Sequence, residues 1–450
     1  MGELTYAEAL AALHQRGRFG IRLGLGRTRA LLRELGDPQL AFRGALIGGT
    51  NGKGSVLALV SSALRAAGLR AGETPKPHLV TYRERLQIGG QLVEPAEFAR
   101  LVGAARPAAD RVARRLGEPT EFELLTAVAF RWFADQAVDL AIVEVGLGGR
   151  LDATHAWDGG VAAITNVDLD HMDRLGSTIG AIAREKAAII ERGDLAATGA
   201  SGDGLAVIRR RAARLGVPLA VVGPAPLLGW ERDWITVELA GLGPTRVGLR
   251  GRHQAANVAL AEAVIAALAE AGIARVGAEA RRAGYANARW PGRLELIEVD
   301  RGGSREVLLD GAHNPAGAAV LAQALDDLRP LLAGGADRRP PPLTLVMGAM
   351  ADKDVAGVVR ALAASRALAG ARVICTEVQA ARVLPAGDLA ALWSTAGFQV
   401  RTVRPPAAAL DLALATAPGP VVVAGSLYLV GAIRALLIDD PLLRDVSGSG

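Results

Sequence analysis

The sequence contains a single cysteine, Cys375, among 450 residues. One cysteine excludes an intramolecular disulfide and is typical of a reducing compartment, so we expect a cytoplasmic protein. The first residues carry Glu3 and Glu8 and no basic start before an apolar stretch, which disfavours a secretory signal. The most hydrophobic segment, residues 421–438, is interrupted by glycine and serine and carries Arg434, which predicts a strand and a helix instead of a membrane span.

Aromatic residues and clusters of basic residues are also scarce. Aromatics make up 4% of the chain, and the basic residues behind a net charge of +5 are scattered without aromatic neighbours, which disfavours nucleic-acid binding. Half of the residues are hydrophobic and 22% are charged, as in soluble globular proteins. Because 450 residues exceed what one hydrophobic core usually organises, we expect two domains.

Lysine is the scarcest charged residue. Only four lysines occur, so 47 of the 51 basic residues are arginine. Where arginine is used this widely, a lysine is expected to be needed for its compact amine, which can lose a proton as guanidinium cannot. The four lysines to examine are Lys53, Lys76, Lys186 and Lys353.

The most informative stretch is residues 48–55, Gly-Gly-Thr-Asn-Gly-Lys-Gly-Ser. A short apolar run before it and an alanine- and leucine-rich segment after it predict a strand, a glycine-rich loop and a helix. Such a loop can cradle phosphate with its N–H groups, while Lys53 adds charge and Ser55 offers a hydroxyl to a metal ion. The standard loop has glycine at position 47 and serine or threonine at 54, where this chain has Ile47 and Gly54. A helix-start turn without a ligand is the alternative.

A proline-rich loop follows the helix after this phosphate loop. Residues 74–79 read Thr-Pro-Lys-Pro-His-Leu, and a segment rich in arginine and glutamate comes next. The closeness of this loop to a phosphate site predicts a substrate-binding element that carries Lys76, His78 and Arg83. A surface connection is the alternative.

Two predicted strands end in residues that can bind a metal ion. Glu144 ends an apolar strand over residues 139–145, and His171 follows a strand over residues 161–167. The carboxyl ends of parallel strands face the crevice where open α/β sheets bind ligands, so these two residues and Ser55 form a candidate Mg²⁺ site. Magnesium prefers oxygen ligands and retains waters, and a buried, hydrogen-bonded histidine is the alternative for His171.

Two later helices carry further candidates. Ser177 and Thr178 predict the N-cap of a helix that runs to residue 192 and contains Lys186. A second helix, predicted over residues 254–271, presents Asn257 near its start, where a side-chain amide can reach a ligand.

Residues 290–295, Trp-Pro-Gly-Arg-Leu-Glu, predict a joint in the chain. A first domain is expected over residues 1–292 and a smaller α/β domain over residues 297–450. The second domain lacks a GxGxxG turn after its strands, so the usual dinucleotide-binding site is not indicated.

Ten short motifs occur in order along the chain. They are GTNGKGS (49–55), PHLVTYRERL (77–86), EVGLGGRLDAT (144–154), DLDHMDRLG (168–176), AIAREKAAII (181–190), HQAAN (253–257), WPGRLE (290–295), LDGAHNP (309–315), ADKD (351–354) and GSLY (425–428). Together they resemble the folylpolyglutamate synthase/dihydrofolate synthase family, which belongs with the Mur ligases of cell-wall synthesis to the ATP-dependent amide ligases. The resemblance covers almost the whole chain.

This resemblance implies an α/β fold with a P-loop-type N-terminal ATPase domain, a smaller Rossmann-like C-terminal domain and an active site in the cleft between them. It implies that ATP phosphorylates a carboxylate of dihydropteroate or folate, and that the amine of L-glutamate displaces phosphate from the acyl phosphate to form an amide. The cofactors would be ATP and Mg²⁺. The partners would be these small-molecule substrates, with no nucleic acid and no membrane, and we expect a monomer.

The resemblance also implies roles for single residues. The catalytic residues would be Lys53, Lys186 and His313. Lys186 would be carbamylated and approach a second Mg²⁺; an ordinary helix lysine in a salt bridge is the alternative. The metal ligands would be Ser55, Glu144, His171 and carbamylated Lys186, and the substrate loop would include Lys76, His78, Arg83 and Asp152. ATP would contact Gly49, Thr50, Asn51, Gly52, Lys53, Gly54, Ser55, Asn257, Arg293 and Asp310, the last toward the ribose.

Two positions depart from the family pattern. The family usually has serine, a neighbour of the metal, where this chain has Lys76, and asparagine where this chain has His155. We hypothesise that the Lys76 ammonium reaches the triphosphate or the glutamate carboxylate; a lysine that faces solvent is the alternative. A Mur-type ligase acting on a cell-wall precursor and a non-catalytic paralogue that binds nucleotide or folate are the competing interpretations of the chain.

Overall fold

The computed structural model of the chain describes residues 4–17, 20, 22–300, 304–333, 340–380, 382–438 and 443. Within these residues the backbone forms sheets of eight, three and six strands, covered by helices. No helix in the described ranges is both long and apolar enough to cross a membrane. The predicted α/β class is confirmed.

The eight-stranded sheet has the order β4-β3-β2-β5-β1-β6-β7-β8 and is parallel except at β3 and β4. Its strands are β1 (Gly44–Gly48), β2 (Ala71–Thr74), β3 (Gln87–Ile88), β4 (Gln91–Leu92), β5 (Leu140–Glu144), β6 (Gly160–Ile164), β7 (Leu195–Thr198) and β8 (Leu219–Val221). Because β1 lies between β5 and β6, the phosphate loop leaves the sheet where the chain order reverses, which is the usual ligand crevice of such sheets.

Helices cover both faces of this sheet because side chains alternate along each buried strand. On β1, Leu46 packs into one core, and Ala45 and Ile47 pack into the other. Around the sheet lie α1 (Tyr6–Gly17), α2 (Gly26–Glu34), α3 (Lys53–Ala66), α4 (Pro95–Leu116), α5 (Glu121–Asp135), α6 (Met172–Leu175), α7 (Ile179–Ala187), α8 (Gly202–Leu215), α9 (Gln254–Glu270) and α10 (Ala278–Asn287). The antiparallel strands β9 (Leu227–Trp230), β10 (Ile235–Leu239) and β11 (Gly243–Val247) pack against the same core as α9.

The six-stranded sheet has the order β12-β13-β17-β14-β15-β16. Its strands are β12 (Glu295–Asp300), β13 (Ser304–Leu309), β14 (Thr344–Met347), β15 (Arg372–Cys375), β16 (Gln399–Thr402) and β17 (Val421–Ala424). Its helices are α11 (Pro315–Leu328), α12 (Val355–Ala363), α13 (Ala386–Thr395), α14 (Pro406–Thr416) and α15 (Leu427–Leu437). The buried cores of this second part begin at Leu294, while the exact domain limits at residues 292 and 297 stay a prediction.

One predicted helix ends earlier than expected. The Thr178 hydroxyl caps α7 by accepting the Ala181 N–H at 3.2 Å, as predicted, but the helix stops at Ala187 and not at residue 192. The guanidinium of Arg211 on α8 donates to the carbonyl of Ile190 at 2.9 Å, so this carbonyl is satisfied without another helical turn.

Candidate active site

A cavity of about 860 Å³ lies between the eight-stranded sheet and the six-stranded sheet. The phosphate loop, the ends of β5 and β6, the start of α9 and the loop after β13 form its wall. It brings together every predicted site residue except Arg83 and Asp152. The predicted residues on its wall are Gly49, Thr50, Asn51, Gly52, Lys53, Gly54, Ser55, Lys76, His78, Glu144, His171, Lys186, Asn257, Arg293, Asp310 and His313. Asn51 and Asn314, 263 positions apart in sequence, thus share one site.

The phosphate loop is shaped by three glycines that no other residue could replace without strain. Gly49 and Gly52 have φ values of 137° and 83°, in the region that L side chains avoid. Gly54 lies under the indole of Trp290, and a Cβ atom at this position would come within 2.6 Å of the ring. The departure from the standard phosphate loop at position 54 therefore has a packing cause. The indole of Trp290 fills the space that a serine or threonine side chain would need there.

Lys53 begins α3 and folds back over the loop. Its Nζ donates to the carbonyls of Gly49 and Thr50, at 3.2 and 3.0 Å. The loop is also fixed from β6, since the Thr165 hydroxyl donates to the Asn51 carbonyl at 2.6 Å. A positive charge is thus held over the loop at the N-terminus of α3, the end of a helix that favours phosphate.

Glu144 is buried at the end of β5, with 3% of its surface exposed. Burial raises the pKa of this carboxyl, and the charge of Lys53 acts in the opposite direction. One of its oxygens accepts the backbone N–H of Lys76 at 2.8 Å. A carboxylate placed this way, beside cations and in the phosphate cavity, is suited to a divalent cation.

Lys76 does not face solvent and does not point freely into the cavity. Its ammonium donates to the backbone carbonyl of Glu144 at 2.8 Å and lies 4.8 Å from the centre of the Phe122 ring. Burial lowers the pKa of Lys76 to about 8, although the carboxylates of Asp152 and Glu144 act in the opposite direction. The solvent-facing alternative is therefore wrong, and contact with a triphosphate or with glutamate stays a hypothesis.

The predicted Mg²⁺ ligands line one cavity but do not form a ready-made metal-binding cluster. Among the described residues, no group of three or more His, Cys, Asp or Glu side chains could hold a metal by itself. Ser55 and Glu144 are buried, whereas His171 adopts a left-handed conformation, with φ of 50°, and its side chain is 39% exposed. Because Mg²⁺ retains waters and needs few protein ligands, an oxygen pair with one partly exposed histidine fits this ion.

The side chain of Lys186, on α7, contacts the phosphate loop. The side chain is buried, and its Nζ donates to the Gly49 carbonyl at 2.8 Å. Burial and the charge of Lys53 lower the pKa of Lys186 to about 7, while Asp170 acts in the opposite direction. A substantial neutral fraction at neutral pH is what reaction of this amine with CO₂ requires.

The second sheet contributes the opposite wall. The carboxylate of Asp310 is bonded to the backbone, since its two oxygens accept the N–H groups of Leu294 and Ala312, both at 2.9 Å. Nδ1 of His313 lies 2.8 Å from the Gly311 carbonyl, so Nδ1 carries the proton and Nε2 is an acceptor. Burial lowers the pKa of His313 to about 4, which keeps the ring neutral.

Two predicted substrate residues lie outside this cavity. Arg83 is buried and donates to the Val93 carbonyl at 3.1 Å, on the wall of a neighbouring cavity. Asp152 caps the turn after β5, accepting the Leu147 N–H at 2.8 Å and the Thr154 hydroxyl at 2.6 Å. Asp152 thus shapes the loop, and direct contact of either residue with a substrate stays a prediction.

The remaining predicted positions are held by neighbours. Nδ1 of His78 accepts from Arg85 at 2.8 Å, and its ring packs on Tyr82 with centroids 4.3 Å apart. The Asn257 amide donates to Gln254 at 2.8 Å. His155, which departs from the family pattern, lies 3.1 Å from the Glu191 carboxylate and takes no part in the cavity wall.

The sequence did not single out a polar link across the cavity. Lys353 donates to Asp170 at 3.1 Å, and Asn314 donates to the other oxygen of Asp170 at 3.1 Å and to Asn51 at 3.3 Å. This link, formed by Asn51, Asp170, Asn314 and Lys353, joins the second sheet to the phosphate loop. The scarcity of lysine did point to Lys353, but no local pattern identified its partner.

Comparison with known proteins agrees with this architecture. The Mur ligase middle domain matches residues 47–208, and the glutamate ligase domain of the Mur ligases matches residues 292–427. The dihydrofolate synthase/folylpolyglutamate synthase of Bacillus subtilis is 37% identical over 71% of this chain and 76% of its own length. The enzyme of the same name from Mycobacterium tuberculosis is 34% identical over 93% of this chain and 90% of its own length.

A solved structure extends the likeness to the whole fold. Mycobacterium tuberculosis folylpolyglutamate synthase, complexed with ADP and AMPPCP, superposes with a TM-score of 0.83 at 33% identity, over 96% of this chain and 100% of that one. The chain therefore belongs to the folylpolyglutamate synthase/dihydrofolate synthase family of ATP-dependent glutamate ligases.

Proposed function

We propose that this chain joins L-glutamate to the carboxyl group of dihydropteroate and of tetrahydrofolate, with ATP as the energy source and Mg²⁺ as the metal. The observation that carries the proposal is the convergence of Lys53, Glu144, Lys186 and His313 on one cavity between the two sheets. Each of these groups would have a separate role in amide formation through an acyl phosphate, as described below for the two chemical steps. Family membership supports the glutamate-ligase chemistry.

In the first step an oxygen of the acceptor carboxylate attacks the γ-phosphorus of ATP, and the bond to the ADP oxygen breaks. The N–H groups in the first turn of α3, at residues 53–55, and the Lys53 ammonium would stabilise the charge on the transferred phosphoryl group. Held by Ser55, Glu144 and His171, Mg²⁺ would supply further positive charge to the phosphate oxygens.

In the second step the amine of L-glutamate attacks the acyl carbon, a C–N bond forms, and the C–O bond to phosphate breaks. The amine must shed a proton, and Nε2 of His313 is an acceptor beside the cavity. Since its pKa is only about 4, His313 would orient the amine by a hydrogen bond, and the proton would go to phosphate or water.

The cavity can accept a flat heterocycle as well as charged groups. Tyr82, Phe122 and Tyr428 line it on the side of the substrate loop. Aromatic rings at this place offer stacking surfaces for a pterin ring, and they support a pterin-bearing acceptor over a nucleotide-linked cell-wall precursor.

The proposal is tested by phosphate release from ATP with Mg²⁺, L-glutamate and either dihydropteroate or tetrahydrofolate. We expect release that requires both glutamate and a pterin, and a drop of at least 10²-fold in kcat in Lys53→Met. Release with only one pterin would restrict the activity to that acceptor. No release with either, together with release on a cell-wall precursor, would favour a Mur-type ligase, and binding without release would favour a non-catalytic paralogue.

We propose further that Lys186 carries a carbamate, which adds a carboxylate near the metal. ¹³C-labelled bicarbonate should give a carbamate carbonyl signal in the NMR spectrum of the purified protein. The signal should be absent in Lys186→Arg, whose guanidinium does not react with CO₂. An equal signal in both proteins would refute carbamylation at this position.

A further inference from the structure

His155 departs from the family pattern, and the chemistry proposed above does not use it. It lies in the β5 loop, defined as residues 145–157 after strand β5. Gly146, Leu147 and Gly148 of this loop line the active-site cavity, whereas His155 lies near its other end and outside the cavity wall. The imidazole is buried, with 8% of the side chain exposed. Because a buried polar ring is costly unless its nitrogens are bonded, its partners indicate what it holds in place.

The β5 loop is attached to the helix that carries Lys186. A Cβ atom on Gly149 would lie 2.7 Å from the carbonyl oxygen of Glu185 and 3.3 Å from the Cα atom of Lys186, so the contact requires glycine. The N–H group of Arg150 donates to the same Glu185 carbonyl at 2.9 Å, and the Arg150 guanidinium pairs with the Glu185 carboxylate at 2.8 Å. The backbone of the loop thus packs on α7 beside Lys186.

His155 makes a second attachment, beyond the end of α7. Its Nε2 lies 3.1 Å from a carboxylate oxygen of Glu191, and its Nδ1 lies 3.2 Å from the carbonyl oxygen of Arg150. The β5 loop is therefore joined to the chain on both sides of Lys186, at Glu185 and at Glu191.

Both ring nitrogens of His155 face oxygen atoms that accept hydrogen bonds. A backbone carbonyl and an ionised carboxylate have no proton to donate. Neutral imidazole has one N–H group, so it satisfies one contact and leaves two acceptors facing each other at the other. Imidazolium has two N–H groups and satisfies both contacts. The arrangement therefore fits the protonated ring, and histidine is the side chain that usually changes charge between about pH 5 and 8.

Other charged groups surround the Glu191 end of this attachment. The guanidinium of Arg211 lies 3.6 Å from the second carboxylate oxygen of Glu191. The carboxylate of Asp194 accepts the backbone N–H of Glu191 at 2.8 Å. Burial raises the pKa of Asp194 to about 7, and the carboxylate of Asp158 acts in the same direction. Asp194 is therefore a second group that can titrate near neutral pH, and an experiment must separate it from His155.

The short turn that carries His155 also packs against α2 and α5. Arg27 of α2 and Glu123 of α5 are paired with each other at 2.9 Å. Within the described ranges neither helix forms an ion pair with His155, so Glu191 is the charged side chain in contact with the ring.

We propose that protonated His155 is a positioning residue for Lys186, because it holds the β5 loop against the chain that follows α7. Lys186 donates to the Gly49 carbonyl at 2.8 Å, so a shift of α7 moves this amine relative to the phosphate loop. The inference rests on the proposed function, in which Lys186 takes part in the reaction. Loss of the proton leaves His155 and Glu191 with two acceptors facing each other, so the attachment weakens as pH rises through the titration of the ring.

NMR of the full-length chain follows the ring and the lysine separately. Labelling with ¹⁵N-histidine reports the charge of the His155 ring, whose signals are assigned by their loss in His155→Asn. Labelling with ¹⁵N-lysine gives four backbone amide signals, because the chain has four lysines, and Lys186→Arg assigns one of them. We expect the Lys186 signal to shift between about pH 5 and 8 with the same midpoint as the His155 ring.

Glu191→Gln is the most informative variant, because an amide can accept from imidazolium and can also rotate to donate to neutral imidazole. The Lys186 signal should then no longer follow the His155 proton, and the same is expected in His155→Asn. Glu270→Gln, at the exposed end of α9, is the matched control and should keep the wild-type titration, as should Asp194→Asn. A titration that survives in His155→Asn and disappears in Asp194→Asn would overturn the proposal.

The pH profile of activity gives a second readout. With saturating substrates, the ratio of kcat in the wild type to kcat in Glu191→Gln should fall about two- to fivefold as pH rises through the midpoint, because only the wild type loses the attachment. Parallel pH profiles in the two proteins, or a His155 ring that stays neutral at every pH, would refute the positioning role. If the wild type forms no amide at all, the proposed function fails, whereas the NMR titration still tests the attachment.

Discussion

Lys76 connects the loop over residues 74–79 to Glu144 at the end of β5, where we propose that Mg²⁺ binds. Its N–H and its ammonium both bond to Glu144, one at the carboxylate and the other at the carbonyl, each at 2.8 Å. The side chain therefore stabilises the position of Glu144 without occupying the proposed metal site. In this chain a fixed organic cation lies where the family pattern has a neutral hydroxyl.

We predict that Lys76→Met lowers kcat about 10- to 100-fold, because a charged hydrogen bond of about 1.5–3 kcal/mol that positions Glu144 is lost. The Mg²⁺ concentration for half-maximal activity should rise with it, since Glu144 becomes less well fixed. Lys76→Ser should recover part of the loss, and Lys76→Arg tests whether charge alone suffices. Wild-type ATP KM and Mg²⁺ dependence in both Lys76→Met and Lys76→Ser would rule out this role.

Glu73 makes the stability of the protein depend on pH. It is buried on β2, and burial raises its pKa from 4.5 to about 7, with Arg65 acting in the opposite direction. Because the pKa is higher in the folded than in the unfolded state, the folded protein is progressively destabilised as pH rises from about 4.5 to about 7. Above this window the penalty is complete.

We predict that Glu73→Gln increases the free energy of unfolding at pH 8 by up to about 3 kcal/mol and leaves it unchanged at pH 4. Urea denaturation at the two pH values measures the difference. Glu94→Gln, at an exposed position on the wall of the neighbouring cavity, is the control and should have no effect at either pH. A Glu73→Gln gain of equal size at both pH values would show that the carboxyl does not titrate in this way.

At the scale of an element, α3 depends on the absence of a side chain in its first turn. The indole of Trp290 would lie 2.6 Å from a Cβ atom on Gly54, and Trp290 is held at the joint between the sheets. The standard phosphate loop has a hydroxyl residue at this position. The glycine at position 54 and the tryptophan at position 290 therefore depend on each other, because the indole occupies the space of the missing side chain.

We predict that Gly54→Ala lowers the free energy of unfolding by about 1–3 kcal/mol, the usual effect of overpacking, and raises KM for ATP because the loop must shift. Urea denaturation and initial-rate measurements check the two effects. Gly26→Ala at the start of α2 is the matched control, since no atom lies within 4 Å of a Cβ there and its φ is not positive. An unaltered Gly54→Ala protein would mean that Trp290 moves aside freely.

At the scale of the whole molecule, the polar link across the cavity holds the two sheets together over the phosphate loop. Asp170 accepts from Lys353 and from Asn314, both on the second part of the chain. Although burial alone would raise it, His171 and Lys353 lower the pKa of Asp170 to about 2, so the carboxylate is charged at every physiological pH. The link therefore joins the two parts of the chain through a charge-assisted hydrogen bond.

We predict that Lys353→Met opens the cavity and raises KM for ATP about three- to tenfold, because a partly buried charge pair that closes the site is lost. Small-angle scattering of the substrate-free protein should show a larger radius of gyration. Arg360→Gln, which removes an exposed cation from α12, should leave both quantities unchanged. A Lys353→Met protein with wild-type dimensions and wild-type KM would contradict a closing role.

The sequence by itself determined the local features of the site. The glycine spacing of residues 48–55, the Thr178 cap and the polar residues at the ends of β5 and β6 depend on contacts within a few residues of the chain. Local hydrogen bonds and the alternation of apolar residues encode such features directly, so the phosphate loop and the two-part α/β fold could be predicted. The order of ten motifs then indicated the family before any distance was known.

Only the tertiary structure decided which distant groups meet. The bonds from Lys76 to Glu144 and from Lys353 to Asp170 join residues 68 and 183 positions apart, and no local rule identifies such partners. Packing also placed Arg83 on the wall of the neighbouring cavity and Trp290 on Gly54. The pKa shifts of Glu73 and Lys186 follow from the same cause, since burial and neighbouring charge exist only once the sheets have assembled.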